Sequence, residues 1–321
     1  MDNITVLVLS DPADRRLAML EALPEETCIV VGNTSEAFSR SAADATVIFN
    51  WPGRRDLLAE VLGMAPKVRW VHTRAAGLED LLSPGLIAHP AVLTNGSGVF
   101  SPSLGEWVLG AILYFAKDFR KLIRNQAAGV WEQFDVPFIT EQTVGIIGYG
   151  DIGRAVASRV RAVGMRVVAL RRHTPVTADP LVERVYGPQD CREMIARCDY
   201  VVLATPLTGE TRGMIGKAEI AAMKPDAVLL NVGRGPVIDE EALIDALRER
   251  RIKGAALDVF ATEPLPAGHP FYKLENVLLS PHSADHTPDW LDRAMRFFLE
   301  QFERFRTGRP LLNVVDKQRG Y

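Results

Sequence analysis

The sequence predicts an α/β protein made of two doubly wound parallel-sheet domains. Three observations carry this. Short β-branched runs alternate with amphipathic stretches along most of the chain, the pattern of a parallel sheet covered by helices. The length of 321 residues favours two domains, each able to bury a core. Near the middle, Gly148-Tyr149-Gly150-Asp151-Ile152-Gly153 sits between an apolar run, Val144 to Ile147, and a helical restart.

The elements follow in order. Ile4–Leu9 reads as a strand, Asp14–Leu23 as an amphipathic helix, and Cys28–Val31 and Ala45–Phe49 as strands. Asp56–Leu62 reads as a helix and Val68–His72 as a strand. Two loops beyond strand ends are candidate sites, because ligands in open α/β sheets lie past the carboxyl ends of strands. In the first, Asn50-Trp51-Pro52-Gly53, Trp51 either walls a pocket or simply packs. In the second, Thr73-Arg74-Ala75-Ala76-Gly77, small residues leave N–H groups accessible to an anion and Arg74 adds a cation.

Val92–Asn95 is a short strand, and Gly96-Ser97-Gly98 reads as a crossing between domains. Ser103 and Glu106 have the spacing of a capping box, which places a helix start at Ser103. That helix runs on towards Ile123 and is apolar over much of its surface, as in a core or a dimer interface.

The strand, glycine turn and helix order around Gly148 is the context a dinucleotide fingerprint requires. Gly148 permits the tight turn, Gly150 lets backbone approach a pyrophosphate, and Gly153 lets the helix sit close on the strand. The helix N-terminus offers free N–H groups to phosphate. The next strand, Arg166–Leu170, ends in Arg171-Arg172-His173, where the NAD form of this unit carries an acid for the ribose 2′-OH. A guanidinium pairs with a 2′-phosphate, so NADP(H) is preferred and NAD(H) remains open. Asp190–Cys198, Ala218–Met223 and Glu240–Glu249 read as helices. Tyr200–Ala204, Ala227–Asn231, Gly254–Leu257 and Val277–Leu279 read as strands.

Composition narrows the classes. Apolar residues at 47%, charged residues at 24% and a net charge of −3 fit a soluble globular protein and give no nucleic-acid footprint. No apolar run approaches a membrane span. The start carries an acid and no basic region, so it reads as a strand and not as a leader. Cys28, Cys191 and Cys198 lack metal-like or paired spacing; they read as inert thiols of a reducing cytoplasm, and no metal is expected.

Four motifs in order, Gly148 to Gly153, Asn231-Val232-Gly233-Arg234-Gly235, Asp258 to Pro264 and Ser280-Pro281-His282-Ser283-Ala284, closely resemble the D-isomer-specific 2-hydroxyacid dehydrogenases. The resemblance covers nearly the whole chain. Ala75-Ala76-Gly77, Thr94 to Val99 and the tail Leu312 to Lys317 with Gly320-Tyr321 also match. It implies a Rossmann dinucleotide-binding domain, 99–285, inserted into a flavodoxin-like substrate domain, 1–98 and 286–321. It implies reversible reduction of a small 2-keto acid to the D-2-hydroxy acid, and a homodimer through the cofactor domain.

The resemblance also implies roles. Arg234 would anchor the substrate carboxylate and carbonyl, His282 would be the proton donor, and Glu263 would bond the other ring nitrogen. A neighbouring carboxylate favours imidazolium, the form that reduction needs. Ala76 and Gly77 would offer N–H groups to the carboxylate. Thr205, Pro206, Thr211 and Val232 would line the cofactor, and Asp258 would contact the nicotinamide carboxamide. The other five histidines lack such partners by motif. The chain departs from the family pattern at Arg171, at Gly105 where alanine is usual, and at Asp285 where a small residue is common.

Three functions compete: a glyoxylate/hydroxypyruvate-type reductase, a phosphoglycerate dehydrogenase, and a nucleotide-sensing corepressor-like binding protein. The lack of a C-terminal regulatory segment in this sequence argues mildly against the second.

Overall fold

The computed structural model describes residues 4–172 and 179–320; His173 and Tyr321 lie outside them. The chain divides into two compact units, Met1–Phe100 with Thr287–Tyr321, and Ser101–His286.

The first unit holds five parallel strands: β1 (Thr5–Leu9), β2 (Cys28–Gly32), β3 (Val47–Asn50), β4 (Trp70–Thr73) and β5 (Val92–Thr94). Their order is β2-β1-β3-β4-β5, the flavodoxin-like order. β1, β3 and β4 are buried along their whole length, which is why β1 and β3 read as nearly continuous apolar runs rather than alternating ones. Helices α1 (Arg55–Met64) and α2 (Pro84–Ala88) cover one face. The 14–23 segment is a 3-10 helix, Arg15–Ala22, capped by Asp14. His72, at the end of β4, is fully buried, and burial pushes its pKa down to about 3. Its Nδ1 lies 2.8 Å from Thr94 Oγ1.

The second unit begins with α3 (Ser101–Ala116) and α4 (Phe119–Ala128). It continues as β6 (Thr143–Ile147), α5 (Asp151–Ala162), β7 (Arg166–Leu170), β8 (Arg184–Tyr186), α6 (Cys191–Ile195) and β9 (Tyr200–Leu203). Then come α7 (Lys217–Ala221), β10 (Val228–Asn231), α8 (Glu240–Arg248), β11 (Gly254–Leu257) and β12 (Val277–Leu279). The seven strands are ordered β8-β7-β6-β9-β10-β11-β12, which contains the Rossmann order extended by one strand. One core packs α3 and α5 on one face, and a second packs α6, α7 and α8 on the other.

Two expectations for the opening helix fail. α3 starts at Ser101, so Ser103 is inside the helix, and its hydroxyl donates to Ala284 O at 2.7 Å instead of capping. The helix also stops at Ala116: Asp118 takes a left-handed φ of 49° and caps α4 afresh. The apolar faces of α3 are largely consumed by the unit's own core. Gly105 has a packing reason. A Cβ there would lie 2.8 Å from Ala155 O on α5, so the two helices meet at backbone distance.

The last helix, α9 (Trp290–Arg306), returns to the first unit and completes its second core with Met295, Phe298 and Phe302. Phe298 stacks on Phe49 with ring centroids 3.8 Å apart. Beyond it, Val315 N donates to Leu93 O at 2.9 Å, and Asn313 Nδ2 donates to Ser97 O at 2.6 Å, tying the tail to β5. Among the described residues no helix is long and apolar enough to cross a membrane. Burial pushes the thiol pKa of Cys191 up to about 11 and that of Cys198 up to about 12, so both behave as core residues, while Cys28 is exposed.

Candidate active site

The glycine turn is built by sterics. Gly148 has φ 95°, and a Cβ on it would lie 2.6 Å from Thr205 N. A Cβ on Gly153 would lie 2.5 Å from Gly148 O, so α5 packs directly on the turn. Gly150 faces open space and precedes the first residue of α5, leaving N–H groups of that turn unobstructed. Tyr149 is buried and donates its hydroxyl to Asp179 Oδ2 at 3.0 Å. Burial, helped by that carboxylate, pushes the tyrosine up to about 12. Asp179 also pairs with Arg154 on α5. Asp151 occupies the first turn of the helix and Ile152 packs partly into the α3/α5 core.

At the end of β7, Arg171 N donates to Tyr186 O at 3.2 Å, and among the described residues the Arg171 side chain has no carboxylate partner. Arg172 instead pairs with Glu210 at 2.6 Å. In the loop after β9, Thr211 Oγ1 donates to Pro206 O at 2.7 Å and closes the turn on itself. Thr205 N and O pack against Gly148 and Gly233, each of which lacks room for a Cβ. Val232 is buried, with its N–H on Leu203 O at 3.0 Å.

The loops after β10, β11 and β12 form one wired set. Asn231, fully buried, donates Nδ2 to Arg234 O at 3.0 Å and accepts Gly233 N at 3.0 Å. Arg234 is half-buried, with Nη1 on Gly233 O at 2.7 Å. A Cβ on Gly235 would sit 1.9 Å from the Phe260 carbonyl carbon, so this turn lies hard against the strand-end loop that carries Glu263. Glu263 accepts Phe260 N at 2.9 Å through Oε1, and its Oε2 lies 2.6 Å from His282 Nδ1. An ionised carboxylate only accepts, so Nδ1 carries a proton and Nε2 is left for chemistry.

His282 itself is held at φ 52°, an uncommon conformation for a side chain with a Cβ. Asp258, 2% exposed, accounts for it. Its carbonyl accepts His282 N at 2.9 Å, and its Oδ1 accepts Ser283 N at 2.9 Å and Ala284 N at 3.1 Å. The motif gave Asp258 only a cofactor contact. Its bracing of the histidine loop had no local signal, since the partners lie 25 and 26 residues away. Beside it, burial raises the Asp285 carboxyl above its ordinary value; the His286 and His282 rings oppose this and the Asp258 carboxylate adds to it. Two histidines read as partnerless do meet acids: His269 Nε2 lies 3.2 Å from Glu240 Oε1 and His286 Nε2 3.7 Å from Asp285 Oδ1. A cavity of about 590 Å³, walled by Phe260, Leu265, Tyr272 and Leu279, opens onto Glu263 and His282.

In the first unit, Trp51 is buried at 2% exposure and donates Nε1 to Asp14 Oδ2 at 2.7 Å, which favours its packing reading. It also supports Arg74, whose guanidinium lies 4.9 Å from the Trp51 ring and 5.2 Å from that of Trp290. Asn95 Nδ2 donates to Ala76 O at 2.7 Å and Gly96 N to Ala75 O at 3.1 Å, which fixes the small-residue loop. The N–H groups of Ala76 and Gly77 donate to no atom among the described residues.

A glycine turn closed by backbone contacts, in a sheet of Rossmann order that also carries an acid-backed histidine, defines the class as nicotinamide-dinucleotide oxidoreductases. Residues 109–284 match the model of the D-isomer specific 2-hydroxyacid dehydrogenase NAD-binding domain. The chain belongs to this family. It is 32% identical over 271 residues to a glyoxylate reductase of Korarchaeum cryptofilum, covering 81% of this chain and 80% of that one. It is 30% identical to a D-3-phosphoglycerate dehydrogenase of Methanocaldococcus jannaschii over 98% of this chain, but spans only 59% of that longer relative. Among solved structures, an NADPH-dependent glyoxylate/hydroxypyruvate reductase of Sinorhizobium meliloti, in complex with NADP and sulfate, superposes with a TM-score of 0.85 at 27% identity. That match covers 99% of this chain and 100% of the other.

Proposed function

We propose that the protein reduces a small 2-keto acid of the glyoxylate/hydroxypyruvate type to its D-2-hydroxy acid, reversibly and with NADPH preferred. The observation that carries the reading is the 2.6 Å Glu263–His282 pair, in a loop braced by Asp258. The cradle at Gly148 and Gly153, where a Cβ has no room, and the open Gly150 fit a dinucleotide pyrophosphate. Gly148 to Gly153, Thr205, Pro206, Thr211, Val232 and Asp258 would hold the cofactor, with Arg171 and Arg172 toward a 2′-phosphate. When bound, that group supplies the hydride. The chain's own residues do the rest. Arg234 pairs with the substrate carboxylate and polarises the carbonyl. His282 Nε2 delivers a proton to the oxygen as alkoxide character develops, while Glu263 stabilises and orients the ring. Arg74 and the free N–H groups of Ala76 and Gly77 are assigned to the carboxylate of the substrate.

The match to a phosphoglycerate dehydrogenase over 98% of this chain supports a second reading, oxidation of a phosphorylated hydroxy acid. A panel of 2-keto acids, with 3-phosphohydroxypyruvate included, assayed with NADPH and NADH separates the two. Turnover of none would favour a binding protein and sink both. For the cofactor, Arg171→Asp should move the kcat/KM ratio at least tenfold, roughly one charge-assisted hydrogen bond, towards NADH. An unchanged ratio would refute the 2′-phosphate assignment.

We assign a homodimer to the second unit, but on a different surface from α3. Ile123, Trp131 and Phe138 expose 62%, 94% and 85% of their surface on α4 and the segment after it. Large apolar side chains exposed to this degree in one stretch of chain favour an interaction surface. Trp131→Glu should convert the dimer to monomer in sedimentation, and a monomeric parent protein would refute the assignment.

A further inference from the structure

The second unit has another cavity, at the end of its sheet away from the catalytic loops. Lys253 precedes β11 and Asn276 precedes β12, whereas Asp258 and His282 follow the other ends of those strands. The cavity measures about 320 Å³ and is lined by Arg120, Lys121, Arg124, Arg250 and Lys253. Two carboxylates, Asp118 and Glu275, share its wall. This excess of positive charge runs against the net charge of −3 for the chain.

The cations are poorly neutralised. Arg120 is fixed by neutral acceptors, donating Nε to Tyr114 Oη at 2.7 Å and Nη2 to Val277 O at 2.9 Å. Among the described residues it has no carboxylate partner, and the Lys253 ammonium has no hydrogen-bond or ion-pair partner there. Arg124 and Arg250 approach the same Glu275 only at 3.8 and 4.0 Å, one acid for two guanidinium groups. Asp118 Oδ1 accepts Lys121 N at 3.3 Å as the cap of α4, while Lys121 Nζ pairs with Glu132 at 2.8 Å. Like charges held around a concavity repel one another and raise the local potential for an anion. Guanidinium forks match the geometry of phosphate oxygens. The volume lies at the small end of ligand pockets, about 300–1,000 Å³, which suits a phosphoryl group on a small body and not a dinucleotide.

We propose that this cavity is a second anion site, which binds the dianionic phosphoryl group of inorganic phosphate or of a small phosphate monoester. It stands on the cavity alone and does not depend on the proposed catalytic function.

The test is calorimetric titration of the full chain at constant ionic strength, with and without saturating NADP. Inorganic phosphate and glycerol 3-phosphate are the probes. One site per chain should persist in saturating NADP. Lys253→Glu and Arg124→Glu should each weaken it at least tenfold, with an unchanged Tm and cofactor affinity; the milder Lys253→Gln should fall between. Tighter binding of the monoester would assign the ligand's organic body to the cavity, and equal binding would assign phosphate itself. No binding of either probe, binding untouched by all three substitutions, or binding abolished by NADP would each overturn the proposal.

Discussion

The two units present the same kind of edge, the carboxyl ends of parallel strands, and furnish it in opposite ways. In the second unit the loops after β10, β11 and β12 are tied to one another. Asn231 holds Arg234, Asp258 holds the His282 loop, and Glu263 holds both Phe260 N and the imidazole. In the first unit the loops after β3 and β4 rest on aromatic surface. Arg74 lies over Trp51 and Trp290, and the N–H groups of Ala76 and Gly77 have no partner among the described residues. The buried Thr73 Oγ1, at the end of β4, has no hydrogen-bond partner among the described residues either. Under the proposed function the contrast would be a division of labour. Proton transfer requires a group fixed in direction, and wiring supplies that. Holding an anion requires donors that have not already been satisfied.

That contrast can be broken at its strongest point first. His282→Ala should lower kcat by about 10² to 10⁴-fold, the range for a general acid, while NADPH still binds. Near-normal turnover would mean that the wired loop is only structural. Asp258→Ala should come next, with kcat down about tenfold to a hundredfold and a lower Tm. It leaves the buried N–H of Ala284 unsatisfied, at about 1–3 kcal/mol, and the half-buried N–H of Ser283 at less. Asp258→Asn keeps an oxygen acceptor and should recover most of both losses; equal damage from both variants would show that the charge, not the bracing, matters.

In the first unit, Arg74→Met keeps the stacked side chain and removes the cation. It should raise KM for the keto acid several-fold with kcat nearly unchanged, and a loss confined to kcat would erase the distinction between the units. The smallest effect should come from Asp285→Asn. The folded value of this carboxyl is raised, so the penalty for charging it is absent below the ordinary 3.8 and is full once the pH exceeds the raised value. The variant should therefore melt slightly higher than the parent at pH 7, with the difference vanishing as the pH falls to 3.8. A difference independent of pH would assign it to packing.

Much of this was legible because it is local. The glycine turn announces itself within six residues, since its spacing and its place between a strand and a helix are local, even though Gly148 also answers a contact with the distant Thr205 N. The buried strands read correctly because both of their faces are covered. The start of α3 was misread because Ser103 has an acceptor 181 residues away, which outcompeted its own helix end. The break at Asp118 escaped because a single left-handed residue leaves no periodic trace. The sequence expectations include neither α9 nor the three-residue β8. Asp258 is the instructive case. Its residue type was read from a motif, but its hydrogen bonds depend on β11 and β12 being adjacent, which no spacing in the sequence states.

Gly105 has a consequence for inheritance. Where the family resemblance implies alanine, this chain brings α3 and α5 to backbone distance, with Ala155 O and the Arg159 side chain in the space a methyl group would need. The two helices are therefore matched parts. A relative's first helix transplanted into this protein would lift α5, and with it the turn of N–H groups that the helix presents. Glycine and alanine differ by a single methyl group, yet at this position that group bears on the seating of a turn that begins more than forty residues later.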